Sequence, residues 1–125
     1  MSIEGDADGA LPRSYLRVAL LAALAAGPAH GYDLLEQVRD LGVRVADPGG
    51  LYRALRAMER DGLVASWWED SQYGPPRRTY QLAPEGRAEL ANEAVALRRT
   101  MHVLAALVQV AETSVGAAER VSARR

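Results

Sequence analysis

The sequence predicts a mainly α fold with a small β-hairpin and a long C-terminal helix. Three observations predict it. Apolar residues recur at helical spacing in three short segments, each closed by a glycine: Gly27, Gly42 and Gly62. The period then changes to alternation between residues 63 and 82, around a Gly74-Pro75-Pro76 turn. A helical pattern resumes at Pro84 and continues to about Ser114 or Val115.

The first helix is expected to start near Pro12, a residue suited to a first helical turn, with Leu16, Leu20, Leu21 and Leu24 on one face and Gly27-Pro28 as its stop. The second runs from Gly31 to Leu41. Leu34, Leu35, Val38 and Leu41 form its apolar face, and Asp33, Glu36, Gln37, Arg39 and Asp40 lie opposite. The third begins at Asp47-Pro48, an N-cap followed by a proline at the first helical position. Its buried stripe is Leu51, Leu55 and Met58. Three short helices with tight connections form a helix-turn-helix pattern. Leu63 to Trp68 and Arg77 to Leu82 read as two strands, so the hairpin that directly follows the third helix is a wing.

In the last helix, Leu90, Ala94, Leu97, Met101, Leu104, Val108 and Ala111 alternate in steps of four and three, the seam of a heptad repeat. Val103, Leu107 and Val110 widen the stripe. A chain of 125 residues has little surface of its own to cover so much apolar helix, so the same helix, or the first helix, of a second copy is the expected partner, with packing inside the chain as the alternative. The domain organisation read from these patterns is a disordered acidic arm (1–11), a winged helix-turn-helix (12–82), a dimerisation helix (83–115) and a flexible tail (116–125).

Composition narrows the function. Hydrophobic residues make up 49% and charged residues 25%, ordinary for a soluble globular chain. There is no cysteine, hence no disulfide framework, thiol nucleophile or cysteine zinc site. His30 and His102, the only histidines, are too few and too far apart for a catalytic or metal cluster. No nucleophile motif, phosphate-binding glycine loop or carboxylate pair is present. An enzyme, a metal and a cofactor are therefore not expected. The apolar run Val18 to Ala26 is too short to span a bilayer, and the acidic stretch before it lacks the positive charge of an export signal. A cytoplasmic protein without a membrane is the expectation. Net charge is −1, but a DNA-binder needs only a basic face. All fifteen basic residues are Arg, which reflects genome composition bias first, although Arg is also the better fork for phosphates and guanine edges.

The run Leu24-Ala25-Ala26-Gly27-Pro28-Ala29-His30-Gly31-Tyr32-Asp33-Leu34 resembles the start of a PadR domain, in which a His-Gly-Tyr triplet opens the second helix. Gly50-Leu51-Tyr52-Arg53-Ala54-Leu55, followed by Met58-Glu59-Arg60-Asp61-Gly62-Leu63-Val64, resembles that family's recognition helix and exit turn. Arg77-Arg78-Thr79-Tyr80-Gln81-Leu82-Ala83-Pro84-Glu85-Gly86 resembles its second wing strand and the start of the last helix. One departure is Ala83, where the family usually has a capping Thr. The single C-terminal helix resembles the shorter PadR members. The resemblance implies a homodimeric DNA-binding transcriptional regulator, a palindromic operator and usually repression. Some PadR-like proteins bind flat aromatic ligands at the dimer centre, which implies a possible small aromatic effector.

Candidate residues follow from position. Tyr52, Arg53, Arg56 and Arg60 lie off the buried stripe of the third helix, and the three arginines fall at i, i+3 and i+7 on one face. A recognition helix reads bases from its N-terminal part, so Gly49, Gly50, Tyr52, Arg53 and Arg56 are the groove candidates. Arg60 is a phosphate contact or an ion-pair partner. Glu59 and Asp61 are the partners that would turn this face into an ordinary solvated one. In the wing, Arg77 and Arg78 alternate in facing, so one at a time can reach the duplex backbone. Trp67 and Trp68 also alternate, and one ring is expected in the core. Tyr15, Trp67, Trp68, Met101 and His102 are the candidates for an effector pocket, although plain core packing is the role expected first for them. A dimeric ligand- or protein-binding adaptor without DNA affinity is the alternative from another functional class.

Overall fold

The computed structural model describes residues 11–45 and 47–123. Residues 1–10, most of the expected acidic arm, lie outside the described set. Helix α1 (Leu16–Ala25) follows a single 3-10 turn at Arg13–Tyr15, so the regular helix starts later than Pro12 suggests. Then come β1 (Ala29–His30), α2 (Gly31–Asp40), α3 (Pro48–Arg60), β2 (Val64–Glu69), β3 (Arg77–Leu82) and α4 (Pro84–Ala123). Two compact units divide the chain, one ending at Ala91 and the other beginning at Asn92.

In the first unit, α1, α2, α3 and the sheet enclose one core. Leu20, Leu21, Leu24, Leu34, Val38, Val43, Leu51, Leu55 and Met58 are its fully buried side chains. Apart from Val43, which follows α2, these belong to the stripes that the helical periodicity marks, and Leu63, Val64, Tyr80 and Leu82 complete the core from the hairpin and the residue that leads into it. Leu41, placed on the buried face of α2 by its spacing, is instead exposed, because the helix ends at Asp40 and Leu41 turns outward as its cap.

Helix ends follow their local chemistry. Asp47 caps α3 by accepting from the Gly50 amide at 2.9 Å, with Pro48 in the first turn. Gly42 and Gly62 have φ of 92° and 77°, the left-handed region that glycine occupies without a Cβ penalty. After Gly42, Val43 N–H donates to the Val38 carbonyl at 3.2 Å; after Gly62, Leu63 N–H donates to that of Met58 at 2.9 Å. These are Schellman closures, each with its accompanying pair of buried apolar side chains.

The sheet has three antiparallel strands in the order β1-β3-β2. β1 is an addition to the expected hairpin. Its two residues, Ala29 and His30, pair with Tyr80 and Thr79. Two residues leave no period to read, so only pairing defines it. Leu11, assigned by sequence to the disordered arm, bridges Val43 and exchanges backbone hydrogen bonds with Gly42 and Arg44 at 2.8 and 3.0 Å.

α4 continues to Ala123, so residues 116–123 belong to the helix and not to a flexible tail. Glycine costs a helix about 1 kcal/mol relative to alanine, and Gly116 alone does not stop this one among its Ala, Val and Glu neighbours. Leu90 packs against the core of the first unit, so the first position of the heptad seam already serves that core. In the second unit, Met101, Val103, Leu104, Leu107, Val108 and Val110 are all more than half exposed.

Candidate nucleic-acid interface

The exposed face of α3, the start of α2 and the inner side of the wing enclose an open groove of about 1070 Å³. α3 contributes Tyr52, Arg56, Glu59 and Arg60, and the wing contributes Trp68, Arg77, Arg78 and Tyr80. His30, Gly31, Tyr32 and Asp33 close it at the start of α2. The amphipathic spacing of α3 explains the first set: once Leu51, Leu55 and Met58 are buried, the arginines point outward.

The strand register explains Trp68, Arg78 and Tyr80, whereas Arg77 faces Glu69 on the other side of the hairpin and meets the groove at its rim. Val64 faces Leu82, Ser66 faces Tyr80, and Trp68 faces Arg78. These six share one side of the hairpin, and the pair nearest the turn leaves the core for the groove. Neither tryptophan is core, contrary to the expectation for one of them: Trp67 is 37% exposed and Trp68 64%. Val64, Thr79, Tyr80 and Leu82 fill the buried positions, and the hairpin projects beyond them. The Arg78 guanidinium lies 5.3 Å from the Trp68 ring centroid, within cation–π range. On the opposite side of the hairpin, the Trp67 indole donates to Glu69 at 3.1 Å.

Glu59 is the residue the sequence reading underweighted. It does not pair with the arginines of its own helix. Its carboxylate accepts from Ser66 Oγ at 2.6 Å and lies 3.8 Å from Arg78. Asp61, the other acid, is turned away from the groove and pairs with Arg17 of α1 at 3.2 Å. Among the described residues, Arg53, Arg56, Arg60 and Arg77 make no ion pair. Beneath them, burial pushes the Tyr80 phenol up from its ordinary value. Arg78 and Arg56 draw it down, while Glu59 and Tyr52 add to the rise. It is therefore a neutral hydrogen-bonding group at the groove floor.

The structure places the remaining candidates apart from one another. Arg53 lies beyond the groove, with its guanidinium 3.2 Å from where a Cβ on Gly49 would stand. Arg13 stands equally close to a Cβ on Gly50. The start of α3 is thus flanked by two guanidiniums, of which sequence spacing marked only Arg53. Gly31 gives room to the Tyr52 ring, whose Cε1 would lie 2.5 Å from an added Cβ. Tyr15 packs against the core, Trp68 faces the groove and Trp67 faces away from it. These three members of the expected effector pocket do not come together. Met101 and His102 are exposed in the second unit.

The family description "Transcriptional regulator PadR-like family" matches residues 20–92, which hold the helix-turn-helix and the wing. The chain belongs to this family. It is 36% identical over 85 residues to the transcriptional regulator Rv3488 of Mycobacterium tuberculosis, covering 68% of this chain and 78% of that one. It resembles the crystal structure of a PadR family transcription regulator from Clostridium difficile R20291, with TM-score 0.68 and 26% identity over 75% of this chain and 98% of that one. The PadR family regulator from Eggerthella lenta gives TM-score 0.67 and 28% identity over 77% and 83% of the two chains. A 37.1 kDa protein of transposon TN4556 in Streptomyces fradiae is 35% identical over 80 residues, 22% of its length. The PadR-like chain is accordingly a transcriptional regulator of winged helix-turn-helix fold, and its family is not one of enzymes.

Proposed function

We propose that this PadR-like chain is a dimeric repressor that grips a palindromic operator with α3 and the wing. The arginine-lined groove carries the reading: Arg56, Arg60 and Arg77 are exposed there without an ion-pair partner among the described residues. Arg53 and Arg56 can pair bidentately with guanine or bridge phosphates, and Tyr52 can donate to a phosphate oxygen. Gly49 and Gly50 carry no side chains in the first turn of α3, beside Pro48. A two-fold dimer would present two such helices to half-sites about one helical turn, or a small multiple, apart. The heptad seam of α4 is the proposed contact between subunits, and the cytoplasm is the proposed location.

Two substitution classes test the reading on duplex DNA from upstream of the chain's own reading frame. Arg53→Ala or Arg56→Ala is expected to cost about 1–3 kcal/mol and to relax sequence preference at one position of each half-site. Loss of Tyr52, Arg53 and Arg56 together is expected to abolish operator selectivity in a folded dimer. Selective binding that survives the triple change would overturn this surface and favour a dimeric adaptor without DNA affinity.

A further inference from the structure

Two arginines adjacent in sequence stand in unlike surroundings. Arg78 is on the side of the hairpin that faces α3. Its guanidinium is held between the Glu59 carboxylate at 3.8 Å and the Trp68 ring at 5.3 Å. Glu59 is itself fixed by the Ser66 hydroxyl at 2.6 Å. Glu59 and Arg78 are each about a third exposed, so the pair contributes little net stability. Its consequence is geometric: Glu59, Ser66, Trp68 and Arg78 link α3 to both strands of the wing. Arg77 faces Glu69 across the strands, yet Glu69 is engaged by the Trp67 indole at 3.1 Å and lies 3.9 Å from His30. Arg77 therefore remains exposed at the rim of the groove with no ion pair among the described residues.

We propose that the two wing arginines divide the work: Arg77 grips the DNA backbone, whereas Arg78 is a positioning residue that Glu59 and Trp68 hold off phosphate. The inference rests on the DNA-binding reading above and adds Glu59 as the residue that sets how many wing charges reach the duplex. A carboxylate inside a groove built for phosphate repels the ligand. It is compatible with binding because it neutralises its own neighbour. An arginine already neutralised by Glu59 displaces fewer counterions from DNA than a free one.

The test is the slope of log affinity against log salt for the full-length protein on duplex DNA, with unfolding midpoints measured alongside. Arg77→Ala is expected to lower the slope by about one. Glu59→Gln keeps an acceptor for Ser66 but removes the charge, so the slope is expected to rise by up to about one. Adding Arg78→Ala to Glu59→Gln is then expected to cancel that rise. A slope about one below that of the wild type for the double variant, or an unchanged slope for Glu59→Gln, would overturn the division of roles. Failure of the DNA-binding reading looks different: the wild type would then show no salt-dependent duplex binding at all. The Glu59–Arg78–Trp68 contact is also read without DNA, from Trp68 fluorescence in a Trp67→Phe background. Glu59→Gln and Arg78→Ala should each shift that emission, and an unshifted emission in both counts against the contact.

Discussion

Gly86 stands in the first turn of α4, where that helix crosses the junction of α3 and β2. A Cβ there would overlap the Leu63 carbonyl and press on a Leu82 methyl at 2.5 Å. Backbone cannot yield as a side-chain tip does, so the gain in helix propensity from alanine is outweighed. Gly86→Ala is expected to destabilise the fold by about 1–3 kcal/mol in urea denaturation. Gly31 gives the opposite outcome, because its neighbour is the half-exposed Tyr52 ring, which can swing outward. Gly31→Ala should leave the unfolding midpoint almost unchanged while weakening operator binding about as much as Tyr52→Ala. Operator affinity unaffected by Gly31→Ala would show that the position of the Tyr52 ring is irrelevant to binding. Ala83 precedes the start of α4 without a side-chain acceptor for the free amides of the first turn. Ala83→Thr should supply one and raise stability by about 1 kcal/mol, read from thermal unfolding.

At the scale of elements, what was legible in the sequence depended on how many residues shared a pattern. The helices α2 and α3 were legible to within a residue, because Asp47, Pro48, Gly42 and Gly62 mark their ends through backbone chemistry that needs no tertiary context. β3 was equally legible from its alternation. β1 was not, since a pair of residues becomes a strand only by meeting Thr79 and Tyr80. The groove arginines followed from the helical period. The partners of Glu59 and Asp61 did not, because both lie on other elements. The unpartnered stripe on α4 belongs to the same scale. Changing Leu97 and Leu104 together to Glu is expected to yield monomers or unfolded chains in light scattering, since two charges in a heptad seam oppose its pairing. A dimer of unchanged mass would refute that contact. α4 also contains an 18-residue window with mean hydropathy 1.3, apolar enough by length and composition to cross a membrane. Sedimentation with lipid vesicles by the wild type, with none by the double variant, would assign the stripe to lipid instead.

For the whole molecule, a small effector would release DNA from the proposed dimer by changing how its two DNA-binding units are presented. We propose that effector binding near Met101 alters the separation of the two α3 helices in the dimer and does not cover them. Spin labels at position 60 of each subunit would report it; an unchanged distance with a ligand that releases DNA would refute it. Within one unit, the order β1-β3-β2 carries a consequence of its own. The central strand is stitched on one flank to the residues that begin α2 and on the other to the strand that leaves α3. The wing therefore cannot peel away without fraying the helix-turn-helix beside it. Amide protons of Thr79 and Tyr80 should then exchange with solvent as slowly as those in the middle of α3, as one cooperative block. A projection built this way behaves less like a flexible arm than like a rigid bracket, and it would meet the duplex already in shape.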